Sequence, residues 1–327
     1  MNILLTGGTG YIGSHTAITI SQNNHNVILY DNLTNSSSSI VKRINSDLGI
    51  NLEFVLGDVL DTNFLKKIIK DFKIDAVIHF AGLKSVEESV IEPDKYYENN
   101  INGTLSLIEA MQATDIKKLV FSSSATVYGE PLYLPIDEEH QKLPNNPYGK
   151  TKLITENILR SLSKADKNWK IICLRYFNPI GSHEKIDIGD NPLKQARNLF
   201  PIIIKVLKKE IKELEIFGSD YNTIDGTGVR DYIYIMDLAE GHLSALNFIN
   251  KKNGWYDINL GAGKGYSVLE ILNKFKLVNN VSIPFKYSPR RKGDVSKIFA
   301  NVTKAKKLLG WEAKYSLDIM CKSVWKK

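Results

Sequence analysis

Short, almost unbroken apolar runs and stretches with helical spacing take turns along the first half of the chain. The runs at 2–6, 26–30, 52–55, 76–80, 119–121 and 170–175 lack the polar alternation of a half-exposed strand, so they read as strands buried on both faces. Between them apolar residues recur three or four positions apart at about 11–22, 62–72 and 93–114, and again from Pro147 to about 165, which predicts amphipathic helices. Regular alternation with short connections predicts an α/β fold, a doubly wound parallel sheet with helices on both faces. Beyond Asn178 the pattern loosens into a Gly, Asp and Pro-rich stretch at 181–192, a helix at about 198–209, a strand near 214–217 and a helix near 236–250. The expected division is a larger sheet domain over 1–176 with a returning segment at about 231–260. The remainder of 177–327 forms a smaller mixed domain for substrate.

The chemistry enters at the first strand, which runs straight into Gly7-Gly8-Thr9-Gly10-Tyr11-Ile12-Gly13. Glycines at 7, 10 and 13 between a strand and a helix permit a tight turn and close approach of backbone to a pyrophosphate at the positive helix end, as in a Rossmann sheet. The spacing is G-x-x-G-x-x-G and not the commoner G-x-G-x-x-G. The second strand ends at Asp31, where an acid accepts hydrogen bonds from ribose hydroxyls and repels a 2′-phosphate, favouring NAD over NADP. Asp58, Lys84, Ser124 and the region of Asn178 fall at further carboxyl strand ends, the edge where such sheets bind ligands.

Tyr148 and Lys152 stand four apart at the start of a helix, hence on one face. A fixed ammonium beside a phenol favours the phenolate, but moving a pKa from roughly 10 to near 7 takes about 4 kcal/mol, more than one lysine need supply. With 15 tyrosines and 36 lysines in 327 residues, roughly 1.7 such pairs are expected by chance, so the motif draws its meaning from its surroundings. Ser124 lies across a proline-bearing loop from it. Downstream, Arg290, Arg291 and Asp294 cluster, and planar guanidinium forks suit a diphosphate. The glycine run 259–265 fails the phosphate-loop pattern and reads as a structural turn.

Bulk properties narrow the field. The 327 residues, 43% hydrophobic and 24% charged, describe an ordinary globular protein. The net charge of +7 is scattered in short lysine pairs without interleaved aromatics, which argues against nucleic acid as a partner. Cys173 and Cys321 are too few for a disulfide framework or a Cys-ligand zinc site, and the six histidines form no ligand motif, so no metal is expected. No apolar run is long enough for a membrane span and no signal peptide is evident, so a cytoplasmic location is expected.

The segments Thr-Gly-Gly-x-Gly-Tyr-Ile-Gly, Ser-Ser-Ser-Ala-Thr-Val-Tyr-Gly at 122–129, Tyr-x-x-x-Lys, Arg-Tyr-Phe-Asn at 175–178, Asp-Gly-Thr-Gly-Val-Arg-Asp-Tyr at 225–232 and Asn-Leu-Gly-Ala-Gly at 259–263 together closely resemble the UDP-glucose 4-epimerase family of the extended short-chain dehydrogenase/reductases. The resemblance runs from Met1 to about Trp325. It implies reversible C4 epimerisation of UDP-glucose and UDP-galactose through a 4-keto intermediate, with tightly bound NAD, in galactose metabolism. Ser124, Tyr148 and Lys152 would be catalytic, Tyr148 as the base and Lys152 lowering its pKa, with Ser124 sharing the proton. NAD would be held by Gly7, Gly10, Tyr11, Ile12, Gly13, Asp31, Asn32, Asn35, Ser36, Asp58, Val59, Phe80, Ala81, Gly82, Lys84, Asn99, Ser122, Tyr148, Lys152 and Phe177. The UDP-sugar would meet Lys84, Ser124, Tyr148, Phe177, Asn178, Asn198, Leu199, Phe217, Arg230, Arg291 and Asp294. A homodimer through the helices at about 93–114 and 147–165 is implied as well.

Three departures bear on substrate: a divergent stretch at 182–195, an early C-terminus, and Ile298 where the family's bulky or small residue decides whether N-acetylated sugars fit. A UDP-N-acetylglucosamine or UDP-glucuronate 4-epimerase is therefore an alternative, as is a non-catalytic dinucleotide sensor. A 4,6-dehydratase would need an acidic pair where Ala125 and Thr126 stand.

Overall fold

The computed structural model describes residues 1–190, 198–291 and 293–325. In chain order its elements are β1 (Asn2–Thr6), α1 (Tyr11–Gln22), β2 (Asn26–Asp31), α2 (Ser39–Leu48), β3 (Glu53–Leu56), α3 (Thr62–Asp71), β4 (Ala76–His79), α4 (Val86–Ile91), α5 (Pro93–Tyr97), a π turn (Glu98–Asn102), α6 (Gly103–Ala113), β5 (Lys118–Ser124), a 3₁₀ turn (Ala125–Val127) and α7 (Pro147–Ala165). The second half carries β6 (Lys170–Tyr176), β7 (Asn178–Ile180), α8 (Leu199–Leu207), β8 (Leu214–Phe217), β9 (Val229–Tyr234), α9 (Ile235–Lys251), β10 (Gly254–Leu260), β11 (Gly265–Ser267), α10 (Val268–Asn279), β12 (Phe285–Ser288), β13 (Lys297–Ile298), α11 (Thr303–Leu309) and α12 (Leu317–Val324).

The apolar runs are continuous because both faces of the central sheet are covered. Ile3, Leu5, Leu29, Ile78, Val120 and Ile172 point into one core together with residues of α1, α2 and α9. Their neighbours Leu4, Ile28, Val77, Leu119 and Ile171 point into a second core with α3, α6 and α7. The seven strands are parallel in the order β10-β6-β5-β4-β1-β2-β3. The winding reverses on either side of β1, so the crevice outside the ends of β1 and β4 is the place where such sheets take a ligand.

The structure departs from the sequence reading in three places. The helix expected at 93–114 is broken by the π turn. Asn178 opens a three-residue strand, β7, that pairs in parallel with β9, where a loop was expected. Arg230, Asp231 and Tyr232, to which the pattern gave no element, lie within β9, which leads directly into the expected helix as α9. Outside the main sheet, β11, β9, β13 and β7 form a second sheet and β12 pairs with β8. Of the divergent stretch, residues 191–195 lie outside the described residues.

Candidate active site

The turn after β1 shows why glycine is needed at two of its positions. Gly7 has a φ of +69° and a Cβ there would come within 2.6 Å of the Ala81 backbone nitrogen. A Cβ on Gly13 would meet the Gly7 carbonyl at 2.5 Å. The turn is thereby pressed against the end of β4, at the reversal of the sheet. Gly10 caps α1 without a side-chain hydrogen bond and no acid occupies its first turn, so the N–H groups of Tyr11, Ile12 and Gly13 face an anion site. The Tyr11 side chain is itself engaged, its hydroxyl donating to the Gly181 carbonyl at 2.7 Å.

Asp31 ends β2 with its carboxylate oriented by the Thr9 and Leu33 N–H groups at 3.1 and 2.9 Å and by the Ser36 hydroxyl at 3.2 Å. Asn32 donates to Asp58 at 2.9 Å. The side-chain oxygen of Asn35 is buried without a partner among the described residues. An orphaned buried acceptor beside a cradle that any Cβ would fill is what a bound adenosine diphosphate moiety would complete, so these residues fit NAD. Val59 is buried with its side chain packed against Gly103 of α6. Phe80, Ala81 and Gly82 follow β4, where the Phe80 ring lies 4.9 Å from that of His242.

Asn99 sits in the π turn, but its neighbour Asn100, not singled out from the sequence, does the tying. Asn100 is buried, accepts from the Leu83 N–H at 2.8 Å, and donates to the Leu83 carbonyl at 3.0 Å and to Thr151 at 3.1 Å. It thereby fixes the loop carrying Lys84 against α7.

Ser124 closes β5, whose register sets it beside Tyr176. Asn146 caps α7 by accepting from the Gly149 N–H at 2.8 Å and Pro147 takes the first position, so Tyr148 and Lys152 sit in the first two turns. Lys152 is buried, donates to the Ser122 carbonyl at 2.8 Å, and lies 5.9 Å from the centre of the Tyr148 ring. Burial pulls its pKa down to about 8, against the opposing pull of Glu156 and Cys173.

The pKa of the Tyr148 phenol, which Lys152 was expected to lower, is raised above its ordinary value. Burial is the largest cause, and a hydrogen bond with Ser124 is what opposes it. The residue keeps part of its surface open while its hydroxyl is desolvated. The reason is that one apolar environment penalises both charged forms, raising a phenol and lowering an ammonium. Lys152, moreover, is turned toward a carbonyl.

Beneath these residues lies a charged cluster that the sequence reading did not use. Arg175 of β6, fully buried, meets Glu156 through Nε at 2.9 Å and Nη2 at 2.6 Å, and meets Asp257 at 2.8 Å. Ser123 donates to the same Glu156 at 2.5 Å, and Arg175 donates to Tyr128 at 2.9 Å. Glu156 stands four residues beyond Lys152 and eight beyond Tyr148, so the helical face that brought out the pair contained the signal for the third member.

On the other side of the cleft, Phe177 joins Val127, Tyr128, Ile136 and Ala300 in a small apolar cluster with Ile298 packed on it. Asn178 is exposed at the head of β7. Asp190 accepts from Lys84 at 3.3 Å and from Asn198 at 2.9 Å, bridging a predicted cofactor residue to a predicted substrate residue. Leu199 begins α8 and is partly buried. The Arg291 guanidinium lies 3.9 Å from the centre of the Phe217 ring, and Arg230 pairs with Asp294 at 3.6 Å. Arg290 is committed elsewhere, to the Asp220 carboxylate and carbonyl at 2.7 and 2.6 Å. The glycine run 259–265 is filled by Asp231, which accepts from the Ala262 and Gly263 N–H groups at 2.7 and 3.0 Å, in keeping with a structural turn. Among the described residues no group of three His, Cys, Asp or Glu could hold a metal, and no helix is long and apolar enough to cross a membrane.

The profile of the GDP-mannose 4,6 dehydratase family matches residues 4–324. The chain is 47% identical to a UDP-glucose 4-epimerase of Bacillus subtilis strain 168, covering 100% of this chain and 96% of that protein. Among solved structures, a UDP-glucose 4-epimerase of Stenotrophomonas maltophila with bound NAD and formylated UDP-arabinopyranose is 43% identical. It superposes with a TM-score of 0.97 over 99% of this chain and 97% of that one. A UDP-glucose 4-epimerase of Bifidobacterium longum in complex with NAD+ and UDP is 44% identical with a TM-score of 0.95 over the same shares.

Proposed function

The chain belongs to the UDP-glucose 4-epimerases of the extended short-chain dehydrogenase/reductases, and we propose that it interconverts UDP-glucose and UDP-galactose by inverting C4 over NAD retained in the cleft. The observation that carries this reading is the meeting of Ser124, Tyr148 and Lys152 beside the Gly7–Gly13 cradle, at the carboxyl ends of β1, β4 and β5. NAD supplies the reversible two-electron oxidation at C4. Tyr148 takes the proton of the sugar 4-hydroxyl and later returns it, Ser124 hydrogen-bonds at the same oxygen, and Lys152 holds its ammonium at the pocket floor. Arg230, Arg291, Asn198 and Phe217 grip the nucleotide end, which leaves the hexose free to present its other face. Ala125 and Thr126 provide no acid for the elimination that a 4,6-dehydratase performs. A pure dinucleotide sensor would have no use for a proton-transferring triad.

Residues 1–176 with 231–260 hold the dinucleotide in this reading, and the remainder holds the UDP-sugar. A homodimer is supported by exposed Val86, Val90, Ile91, Leu105 and Ile154 on α4, α6 and α7. The buried free thiols of Cys173 and Cys321 accord with a cytoplasmic site of action.

The purified protein is expected to release NAD on denaturation, to run at about twice 36.9 kDa in light scattering, and to convert UDP-galactose to UDP-glucose without added cofactor. Failure to convert either sugar would overturn the reading. Ile298, against the Phe177 cluster, bears on the C2 substituent. Ile298→Tyr is expected to lower kcat/KM for UDP-N-acetylglucosamine at least tenfold relative to UDP-glucose, since overpacking such a site costs about 1–3 kcal/mol. Equal loss on both substrates would remove Ile298 from specificity.

A further inference from the structure

Past the paired ends of β8 and β12 two segments of chain run on side by side, and one arginine fastens them together. The strands pair in parallel as far as Phe217 and Ser288, and a last bond runs from the Gly218 N–H to the Ser288 carbonyl at 2.8 Å. Two residues beyond Ser288, Arg290 reaches across to the other segment, Nε donating to the Asp220 carboxylate at 2.7 Å and Nη2 to the Asp220 carbonyl at 2.6 Å. Its guanidinium also lies 4.3 Å from the centre of the Tyr221 ring. Gly218 makes room for this stack. At a φ of +82° it turns the chain, and a Cβ there would come within 2.3 Å of the Tyr221 ring and 3.1 Å of the Arg290 side chain. Tyr221 is buried and its N–H donates to the Gly226 carbonyl at 2.9 Å, but its hydroxyl has no partner among the described residues, so what it offers Arg290 is the face of its ring.

Arg290 is thereby held at three points, and the residue after it belongs to the expected substrate site. The Arg291 guanidinium lies 3.9 Å from the centre of the Phe217 ring. The Asp294 N–H donates to the Arg291 carbonyl at 3.2 Å, and the Asp294 carboxylate meets Arg230 at 3.6 Å. Two stacks therefore stand one residue apart, Arg290 on Tyr221 and Arg291 on Phe217, and only the second is made of expected substrate residues.

We propose that Arg290 is a positioning residue for the nucleotide end of the site: clamped to Asp220 and Tyr221, it holds the adjoining Arg291 over Phe217, ready for uridine diphosphate. The inference rests on the epimerase reading above. The gain is preorganisation, since a mobile arginine loses rotamer freedom when it closes on an anion and an arginine fixed beforehand does not. The Arg290 and Asp220 side chains are 47% and 73% exposed, and an ion pair so open to water adds little to stability. Its effect belongs in ligand affinity and not in melting.

The affinity of UDP for the NAD-loaded protein, measured by titration calorimetry beside the kinetics of UDP-galactose conversion, tests this. Arg290→Gln is expected to raise the Kd of UDP about five- to tenfold, the cost of ordering one long side chain on binding. KM should rise with it while kcat stays within about twofold, because the hexose end is untouched, and the thermal midpoint should move by less than about 2 °C. Asp220→Ala separates positioning from charge. It removes a negative charge, so a pure field effect would tighten UDP binding, whereas loss of the clamp should weaken it by about twofold or more. In an Arg291→Gln background Arg290→Gln should add less than about twofold, since it acts through Arg291. Any of four results overturns the proposal: a Kd for Arg290→Gln within twofold of wild type, a kcat that falls as far as the affinity, unchanged or tighter binding in Asp220→Ala, or the full loss again in the Arg291→Gln background. A wild-type protein that neither binds UDP nor converts UDP-galactose would sink the epimerase reading itself, whereas variants that match a wild type doing both would sink the clamp alone.

Discussion

Tyr148→Phe is expected to lower kcat for UDP-galactose by about 10²–10⁴-fold while leaving the fold and the bound NAD in place. The substitution keeps the ring and removes the one oxygen that can take the 4-hydroxyl proton. The surrounding structure does not depend on that oxygen. Lys152 is held by the Ser122 carbonyl at 2.8 Å, and Ser124 remains bonded to Thr126. Losing a single hydrogen bond in a partly open site costs about 0.5–1.5 kcal/mol, so the thermal midpoint should move little. Turnover within tenfold of wild type would remove Tyr148 from the chemistry. Turnover lost together with cooperative unfolding would show that the phenol has a structural role that the hydrogen bonds do not reveal.

Glu156→Ala should have the largest effect on stability, about 3–5 kcal/mol, because it leaves one face of a fully buried guanidinium without its bidentate partner. Arg175 keeps Asp257 at 2.8 Å, which sets the loss below that of isolating the cation altogether. Activity should fall as well. Glu156 joins Ser123, beside Ser124, to the helix of Tyr148 and Lys152 and to the strand leading into Phe177 and Asn178. A misplacement of about 1 Å at reacting groups can cost on the order of 100-fold. Denaturant unfolding at a fixed NAD concentration measures the first effect and UDP-galactose turnover the second. Replacing both partners by apolar residues, Glu156→Leu with Arg175→Met, should recover most of the stability without the activity. A destabilisation below about 1 kcal/mol for Glu156→Ala would show that the pair is not what joins these elements.

The cleft was legible wherever its residues follow from local geometry. The glycine turn, the acid at the end of β2 and the start of α7 at Pro147 all stand where the pattern put them. What escaped was short or distant. A three-residue strand containing Pro179 has no periodicity to detect, and β10 joins β6 from more than eighty residues away. Arg290 and Arg291 are indistinguishable as neighbours in sequence. Only the fold sets the first against Asp220 and Tyr221 and the second over Phe217. Asp231, next to the expected substrate residue Arg230, satisfies backbone N–H groups of the 259–265 glycine run, which lies about thirty residues further along the chain.

The sequence by itself determined which atoms are available and which share a face: backbone geometry alone puts Tyr148 and Lys152 on one side of a helix and sends β-branched runs into a sheet. Only the tertiary structure decided how those atoms are charged and which partners they meet. Burial raises the Tyr148 phenol and lowers the Lys152 ammonium, and the Ser122 carbonyl takes the Lys152 ammonium. The physical reason is range. A helical spacing is set within one turn of chain, whereas desolvation and hydrogen-bond saturation at a single oxygen depend on every element that packs against it, here β4, β5, β6, α7 and α9 together.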